Sequence, residues 1–488
     1  MRARARMILF TALPIAVAGD LLLRGGDPRL GFALLIALVT AGAFAIGALA
    51  IGPRADRERT LLLAGTAVAA LGFVFRDAEP LYAVDLLSVL CMGALAVWRG
   101  SGKTVAEFEV LDAPKAAVLA LLTTVVGAPD VLRATGSAEG DTIARAARTR
   151  ALAIGAVLAL PPLLLVMVLL GSADSVFGSF LSSVGDFIAL KGVQHVVVIV
   201  VLAWLAMGWL LGTLAGSAVV RLPEVRAPGL PFASASVGLY GLVVLLTLFL
   251  GTQVRVMFGG AAYLGATAGL TVAAYAREGF FQLVVVAGVV LATLVAADWL
   301  LAPSDEAVRR YRAAGTVLVG LVALLLVSAV ARMWLYVTSF GLTIDRMVAT
   351  AIMCWVVAAL ATFAATMLRG HGARFAPVML LLTIAWVASL NAVNTEAIIV
   401  RTNVARAIEG KAFDAPYHAK LSADALPALV EAAPRLPATE CTALSESLAK
   451  VWKTRRAARA DWRTWSLPYA RAIAAGAGEA TLGCASGG

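Results

Sequence analysis

Long apolar runs separated by short polar segments make up residues 1–393 of the chain. A helix of about 20 apolar residues is long enough to cross a lipid bilayer. The clearest run extends from Gly279 to Leu301 and follows directly after the charged pair Arg277 and Glu278. Ten other runs have the same character, so the pattern predicts eleven transmembrane helices. The predicted helices are Met7–Leu23, Leu30–Ile51, Thr60–Phe75, Leu81–Trp98, Arg150–Gly171, His195–Gly216, Ser236–Val254, Gly279–Leu301, Ala314–Val337, Met347–Leu368 and Phe375–Val393.

Two further apolar segments do not fit this pattern. Ala113–Gly127 is short, and charged residues lie on both sides of it, which favours an amphipathic helix near residues 113–133 on the inner membrane surface. Ala261–Ala276 contains two glycines at a spacing typical of close helix contacts. A complete crossing there would place the basic cluster Arg309–Arg312 outside, so we predict a re-entrant or interfacial segment near residues 261–276.

The first apolar run follows Arg2, Arg4 and Arg6, an arrangement typical of a secretory signal. Ala16-Val17-Ala18 would then be the cleavage site. The apolar run continues past this site as far as Leu23, which favours an uncleaved membrane anchor. Either interpretation leaves the residues after Leu23 on the outer side of the membrane.

The apolar runs end before residue 394, and residues 394–488 have the composition of a separate, water-exposed domain. Asn394 can cap a helix whose apolar stripe contains Val400 and Val404. Pro427 suits the first turn of a second helix. No strand pattern occurs in this tail, so we predict a small all-α C-terminal domain.

The composition agrees with a membrane protein, because 61% of the 488 residues are hydrophobic and only 14% are charged. Soluble domains contain about 25% charged residues. The predicted fold class is therefore all-α, with a polytopic transmembrane bundle over residues 1–393 and a small extracytoplasmic helical domain over residues 394–488. The lipid bilayer is thus the first expected partner.

The net charge of +10 does not indicate a nucleic acid as a partner. The basic residues lie mainly in short loops between the predicted helices, where they orient a membrane protein. Predicted inner segments contain 20 Lys and Arg residues, predicted outer positions contain 8, and the tail contains the other 12. This asymmetry predicts that the N-terminus is cytoplasmic and that the tail lies outside.

Polar residues recur at the predicted outer ends of the transmembrane helices. Ionisable groups inside a membrane are costly and usually face a partner or a cavity, so we predict a polar cluster on the outer face. The other interpretation is that each side chain reaches the lipid headgroups. Arg332 and Asp85 lie several residues inside their helices, and we expect them to pair directly or to share one cavity. The predicted cluster contains Asp85, Asp174, Arg255, Arg277, Glu278, Arg332, Arg346, Asn391 and Asn394.

The sequence contains short motifs that resemble ligand-binding or metal sites, but these motifs lack the residue spacing that such sites require. The segment Arg99–Thr104 contains Gly-Ser-Gly-Lys-Thr, but a phosphate-binding loop also requires a glycine where this chain has Val97. The three histidines, His195, His371 and His418, are far apart and lack a second metal ligand at the usual spacing. We therefore assign no catalytic residue, no cofactor and no metal site.

The tail contains two cysteines, Cys441 and Cys484, whereas Cys91 and Cys354 lie in predicted transmembrane helices. Disulfides form and persist in oxidising environments outside the cytoplasm, where the tail is predicted to lie. We therefore predict a disulfide between Cys441 and Cys484, which would hold the C-terminal residues against the predicted domain.

Several short motifs taken together resemble one protein family. The motifs are Ser172–Phe177, Tyr275–Leu283, Phe340–Thr343 followed by Arg346, Asn391–Asn394, Asp414–Tyr417 with Leu421–Ala425, and Asp461–Trp465. The combination is similar to the bacterial multi-spanning membrane proteins of the domain-of-unknown-function 4153/4173 group, over approximately Leu160–Ala472. The resemblance implies a bacterial protein, which we expect in the cytoplasmic membrane, but it implies no activity and no catalytic residue.

Three functions are compatible with these features. The first is a non-enzymatic structural, signalling or interaction role, in which the tail contacts an envelope protein or a lipid headgroup. The second is an enzyme that acts on a lipid-linked or periplasmic substrate at the outer leaflet. Lipid-dependent glycosyltransferases have a similar organisation, but they carry catalytic carboxylates on a long first outer loop, which here is only Arg24–Arg29. The third is a transporter, for which Pro161-Pro162 provides a broken helix but the charges lie at the outer edge. We predict the first function.

Overall fold

A computed structural model shows how the chain is arranged. The structure describes residues 2–51, 56–135, 174–188, 191–220, 227–268, 280–302, 304–459 and 461–476. It also describes residues 223 and 484 and isolated positions between 148 and 172.

The regular structure of the described residues is helical, and a single bridge between Leu230 and Leu301 is the only β-type pairing among them. The membrane part contains α1 Arg2–Leu22, α2 Arg29–Ile51, α3 Arg57–Ala70, α4 Gly72–Phe75, α5 Glu79–Gly100, α6 Asp112–Thr135, α7 Ser175–Ile188, α8 Lys191–Val219, α9 Phe232–Ala268, α10 Phe280–Leu300, α11 Asp305–Phe340, α12 Ile344–Thr366 and α13 Phe375–Ala392. The tail contains α14 Thr395–Ile408, α15 Ala415–Lys420, α16 Leu426–Ala432, α17 Ala438–Ala458 and α18 Leu467–Ala474. Short 3-10 turns cover Gly372–Arg374, Ala433–Arg435 and Trp462–Thr464.

Eleven helical segments of the described residues are long and apolar enough to cross a membrane. They are α1, α2, the α3–α4 pair, α5, α6, and each helix from α8 to α13. The prediction of an all-α polytopic bundle is confirmed, and the chain is a multi-pass membrane protein. The set differs from the predicted one because it contains α6, whereas most of the predicted helix Arg150–Gly171 lies outside the described residues.

The prediction of a surface helix near residues 113–133 needs correction, because α6 packs inside the bundle against α8. Gly208 of α8 leaves space for the main chain of α6, and a Cβ at this position would overlap with the carbonyl oxygen of Thr124. The Trp204 Nε1–H donates to the carbonyl oxygen of Val125 at 2.7 Å. Small residues on one face of α6 therefore serve close helix packing, which from sequence alone resembles the pattern of an amphipathic surface helix.

The structure describes only the first half of the segment near residues 261–276 that was expected to be re-entrant or interfacial. Helix α9 continues without interruption from Phe232 to Ala268, so residues 261–268 extend the preceding membrane helix. Its most apolar part is Phe232–Gln253. Residues 269–276 of the expected re-entrant segment lie outside the described residues.

Two contacts between helix ends define the two ends of the bundle in the described residues. Helix α1 ends beside the start of α8, where His195 Nδ1 lies 2.8 Å from Asp20 Oδ1. The start of α9 lies beside the end of α10, and the Leu230 N–H donates to the Leu300 carbonyl oxygen at 2.8 Å. The bundle therefore has an N-terminal end, where α1 begins, and an opposite end. We call the opposite end the tail end, because the C-terminal tail packs there.

The tail has an apolar core that continues into the bundle. Leu342, which lies between α11 and α12, belongs to the same buried cluster as the tail helices, and Val337 of α11 packs against this cluster. Helix α13 ends at Ala392 and α14 begins at Thr395, so only two residues separate bundle and tail. Cys441 of α17 forms a disulfide with Cys484, with the two Cα atoms 5.7 Å apart. The tail is thus packed directly on the bundle.

Candidate functional site at the tail end

The corner between α4 and α5 places two charged residues in the protein interior. Arg76 and Asp77 follow the end of α4, and only 9% and 5% of their surfaces are exposed. Buried charges are costly unless they have charged or hydrogen-bonding partners. The partners here come from the start of α2 and from the tail. We call Arg29, Arg76, Asp77, Asp424 and Arg459 the junction cluster.

Asp77 is at the centre of the junction cluster. Its Oδ1 pairs with Arg29 and accepts a hydrogen bond from Arg459 Nη2 at 2.7 Å, and its Oδ2 accepts one from the Ala423 N–H at 2.9 Å. The Arg29 guanidinium also lies over the Tyr82 ring, 4.4 Å from its centroid. Burial raises the pKa of the Asp77 carboxyl, and the charge of Arg459 opposes this effect. One carboxylate thus joins residues of α2 and of the tail.

Arg76 makes a second connection between the bundle and the tail. Its Nη1 pairs with Asp424 Oδ1 at 3.0 Å, while the other Asp424 oxygen accepts the Asp77 N–H at 2.5 Å. Its Nε and Nη2 donate to the carbonyl oxygens of Asn391 and Ala392, both at 2.7 Å. The last carbonyls of a helix lack partners within the helix and favour a positive charge. Arg76 therefore caps α13 and binds the tail with the same guanidinium.

Two residues at the start of the tail complete this arrangement. Asn394 Oδ1 accepts the Ala397 N–H at 2.9 Å and so caps α14, while its Nδ2 donates to the Asp424 carbonyl oxygen at 2.8 Å. Glu396 is 2% exposed and accepts a hydrogen bond from Ser422 Oγ at 2.7 Å. Burial is the largest cause that raises the pKa of Glu396, to about 7. The first turn of α14 therefore carries an acid that titrates near neutral pH.

The loop between α11 and α12 forms a second junction with the tail. Asn403 Oδ1 accepts the Leu342 N–H at 2.8 Å, and its Nδ2 donates to the Leu342 carbonyl oxygen at 2.7 Å. The Tyr417 hydroxyl accepts the Ile344 N–H at 2.8 Å. Gly341 adopts a φ of +80°, and a Cβ there would lie 2.5 Å from Asn403 Oδ1. The turn is therefore shaped to fit an amide side chain of the tail.

His418 stabilises Asn403 in this second junction. Its Nδ1 lies 2.7 Å from the Asp414 carbonyl oxygen and its Nε2 lies 3.1 Å from Asn403 Nδ2. These partners fit a neutral ring with the proton on Nδ1 and an acceptor at Nε2. Burial lowers the pKa of His418, which agrees with the neutral form.

The residues of the predicted outer cluster lie in several different environments. Asp85 accepts a hydrogen bond from Asn391, whereas the described partner of Arg332 is Gln253. No ion pair joins Arg332 to Asp85 in the described residues, although both are buried. Asp174 is exposed and its Oδ1 accepts the Phe177 N–H at 2.7 Å at the start of α7.

The remaining members of the predicted cluster have local roles or are not described. Arg346 binds the carbonyl oxygen of Gly341 and lies 3.9 Å from the centroid of the Tyr336 ring. Arg255 belongs to α9, but its side chain is outside the description. Arg277 and Glu278 lie outside the described residues. The structure therefore brings Asp85, Asn391 and Asn394 together with the junction cluster, and places Arg332, Arg346 and Asp174 elsewhere.

Reasoning from the sequence did not identify the junction cluster. Arg29 and Asp77 looked like ordinary loop charges beside apolar runs. Asp424 did lie within the motif Leu421–Ala425, and Arg459 lies two positions before the motif that begins at Asp461. These motifs were the available signal, but nothing in them indicates which bundle residues they contact.

The described residues contain no group of three or more His, Cys, Asp or Glu that could hold a metal ion. A wide, open depression on α17 is lined by Ala438, Thr439, Thr442, Ala443 and Glu446. It has one acidic group and no adjacent basic or nucleophilic partner among these residues. The polar interactions at the tail end are therefore mainly buried ion pairs and helix caps.

Comparisons with known proteins give one match. A family model described as a domain of unknown function (DUF4153) matches residues 63–432. This range contains Arg76, Asp77 and Asp424 of the junction cluster, whereas Arg29 and Arg459 lie outside it. No curated protein and no solved structure matches the chain. The resemblance stated from the sequence motifs is confirmed.

Proposed function

We propose a function for this chain, which belongs to the DUF4153 family, from the way in which its tail is fixed to its bundle. The protein is a non-enzymatic component of the bacterial cytoplasmic membrane. It presents a helical C-terminal domain in a fixed position on the outer face, where that domain contacts a partner of the cell envelope.

The distribution of basic residues supports this orientation. Among the continuously described segments, the N-terminal end carries thirteen Lys and Arg residues: Arg2, Arg4, Arg6, Arg57, Arg59, Arg99, Lys103, Lys115, Arg309, Arg310, Arg312, Arg369 and Arg374. The tail end, without the tail itself, carries eight: Arg24, Arg29, Arg76, Arg133, Lys191, Arg255, Arg332 and Arg346. Basic residues accumulate on the cytoplasmic side of membrane proteins. The N-terminal end is therefore cytoplasmic in this proposal, and the tail is outside.

The junction cluster is the observation that carries the proposal. A tail that only needed a membrane anchor could hang from a flexible linker, which requires no buried charge. Here Asp77 and Arg29 are buried and Arg459 is largely buried, although the three residues come from three separate parts of the chain. Removing one partner of such a buried set typically costs about 3–5 kcal/mol. The cluster therefore supports a function that depends on a fixed orientation of the tail.

The orientation can be tested with cysteines introduced at exposed positions at the two ends. Thr439 is exposed on the tail, and Ser304 is exposed at the N-terminal end before α11. A membrane-impermeant thiol reagent should label Thr439→Cys in intact cells, whereas Ser304→Cys should react only after the cells are permeabilised. Labelling of Ser304→Cys in intact cells would exclude the proposed orientation.

The role of the tail can be tested with a photo-crosslinking residue at Thr439 in living cells. We expect a specific adduct with an envelope protein, and we expect Asp77→Asn to abolish this adduct while the protein remains in the membrane. The matched control is Asp27→Asn, because Asp27 contacts the same two arginines but is 51% exposed. An adduct that persists in Asp77→Asn at the level of the control would show that a fixed tail is not required.

A further inference from the structure

Asp85 and Asn391 form a polar pair inside the bundle. Asp85 lies in α5 and is 1% exposed. Asn391 lies in the last turn of α13, and its Nδ2 donates to Asp85 Oδ1 at 2.8 Å. No lysine, arginine or histidine among the described residues lies within ion-pair distance of the Asp85 carboxyl group. An isolated carboxylate at such a depth is strongly disfavoured.

The pair leaves two oxygen atoms without hydrogen bonds. Asp85 Oδ2 and Asn391 Oδ1 are both buried and have no hydrogen-bond partner in the described structure. Buried polar atoms are nearly always paired, so two such atoms on residues already in contact require an explanation. A carboxylate and an amide oxygen can only accept hydrogen bonds, whereas a protonated carboxylic acid adds one donor. One proton would therefore satisfy both atoms.

We propose that Asp85 is a proton-binding site and is occupied by a proton at neutral pH. The proton comes from water and forms an O–H bond at Oδ2, which converts the carboxylate to a neutral acid. This O–H donates to Asn391 Oδ1, while Asn391 Nδ2 donates to Asp85 Oδ1. The acid and the amide then form a cyclic pair with one hydrogen bond in each direction, and no uncompensated charge remains.

The surroundings of Asp85 leave little space for a metal ion. The carboxyl group lies directly against Gly72, where a Cβ would overlap with all three carboxyl atoms. Hard cations such as calcium take six or more oxygen ligands. The nearby main-chain oxygens of Asn391 and Ala392 already accept hydrogen bonds from Arg76. Asp85 Oδ2 and Asn391 Oδ1 can share one proton, but two oxygen atoms are too few to form a metal site.

The charged groups around the pair are already engaged with one another. Helix α4 contributes Gly72, which has no side chain, and α13 contributes only the neutral Asn391. Arg76 binds the Asn391 carbonyl oxygen and pairs with Asp424, so its charge is already compensated. The proton site is therefore adjacent to the junction cluster, with Asn391 belonging to both.

Infrared spectroscopy of the purified protein tests the protonation state directly. The C=O stretch of a protonated carboxylic acid is separate from the two bands of a carboxylate and shifts in heavy water. The wild-type minus Asp85→Asn difference spectrum at neutral pH should show the loss of one carboxylic-acid band per molecule. The control, Asp174→Asn, removes an exposed acid and should remove carboxylate bands only. A wild-type minus Asp85→Asn difference that contains only carboxylate bands would overturn the proposal.

A second pair of variants covers the case in which Asp85→Asn does not fold. Exchanging the two residues in Asp85→Asn/Asn391→Asp again gives one acid and one amide, so the carboxylic-acid band should return. Asn391→Asp alone places two acids together, and its melting temperature should fall as the pH rises. Two results together would identify a cation site and contradict the proposed proton site. The melting temperature of the wild type would rise with sodium concentration, and the exchanged variant would show a carboxylate signal.

Discussion

The two ends of the bundle use charged residues in different ways. At the tail end, Asp77 is 5% exposed and joins Arg29 to Arg459, which is 382 positions away from Asp77 in the chain. At the N-terminal end, Arg99 pairs with Asp56 and Glu58 at 3.2 Å, and Arg310 pairs with Glu306 at 2.5 Å. The Arg310–Glu306 pair lies within one helix and is more than half exposed.

This difference shows that the structural role of a charged residue in this protein depends on its burial and on its distance along the chain from its partner. The number of ion pairs at each end matters less. Taken pair by pair, the ion-paired residues at the N-terminal end are more exposed than those of the junction cluster, and they join residues that are near in the chain or on adjacent helices. Their main effect is on orientation in the membrane. The charges of the junction cluster are largely removed from water and fix segments that lie far apart in the chain.

The largest effect should come from Asp77→Asn, which keeps the shape of the side chain and removes its charge. Arg29 and Arg459 would then keep only the half-exposed Asp27 as a shared acidic partner, so the free energy of unfolding should fall by about 3–5 kcal/mol. Chemical denaturation of the purified protein in detergent measures this change. Asp27→Asn is the matched control, because Asp27 is half exposed and should contribute about 0–1 kcal/mol. If Asp77→Asn and Asp27→Asn lower the free energy of unfolding by the same amount, burial of the acidic partner does not determine the strength of these ion pairs.

The next largest effect should come from loss of the disulfide between Cys441 and Cys484. The bond closes a loop with a sequence separation of 43 residues, for which the chain-entropy model gives about 3–4 kcal/mol. The double variant Cys441→Ser/Cys484→Ser should lower the unfolding temperature of the tail. Proteolysis should then remove the C-terminal residues first while the bundle stays intact. The control is Cys91→Ser/Cys354→Ser, because both of these cysteines are free. A bundle that unfolds together with the tail would show that the two parts form one cooperative unit.

Ten of the eleven candidate membrane helices among the described residues could be predicted because each apolar run indicates a crossing without knowledge of its neighbours. The α6 helix was assigned wrongly for a physical reason. Its apolar content is reduced by small residues that pack against Gly208, and a hydropathy pattern does not distinguish a face for lipid from a face for another helix. Asn394 as the cap of α14 and Pro427 in the first turn of α16 were identified correctly because capping depends on residues close in the chain.

The junction cluster could not be predicted because its contacts join parts of the chain that lie far apart. Arg76 and Asp424 are 348 positions apart in the chain, and no local sequence pattern indicates that their side chains form an ion pair. The expectation that Asp85 and Arg332 pair directly or share one cavity followed from similar depth alone. The structure instead pairs Asp85 with Asn391, which had been placed in the same polar cluster without a stated partner.

Glu396 should make the stability of the tail depend on pH. Its pKa is raised from 4.5 to about 7 mainly by burial. Below pH 4.5 the group is protonated in both the folded and the unfolded chain, and its contribution to stability is complete. As the pH rises towards 7, the unfolded chain loses the proton first, so this contribution is lost progressively.

The total loss from Glu396 should be on the order of 3 kcal/mol, because one pKa unit corresponds to about 1.4 kcal/mol. Glu396→Gln should remove this part of the pH dependence, which is measured as the difference between the unfolding curves of variant and wild type over this range. The exposed Glu431 provides the control variant Glu431→Gln, because its partner Arg401 lies 3.8 Å away on the surface. A Glu396→Gln curve that is parallel to the wild-type curve would exclude Glu396 as the titrating group.

The smallest effect should come from Arg310→Ala at the N-terminal end. Its ion pair with Glu306 is nevertheless shorter than the ion pair between Arg459 and Asp77. Arg310 lies 2.5 Å from Glu306, and Arg459 lies 2.7 Å from Asp77. The side chains of the first pair are 60% and 65% exposed, whereas those of the second are 13% and 5% exposed. Exposed pairs one helical turn apart typically contribute about 0.3–0.5 kcal/mol because water screens them. Arg310→Ala should therefore change the unfolding free energy by no more than this amount, and Thr439→Cys should remain accessible from outside in the same background. A loss comparable to that of Asp77→Asn would mean that distance, rather than burial, determines the strength of these ion pairs.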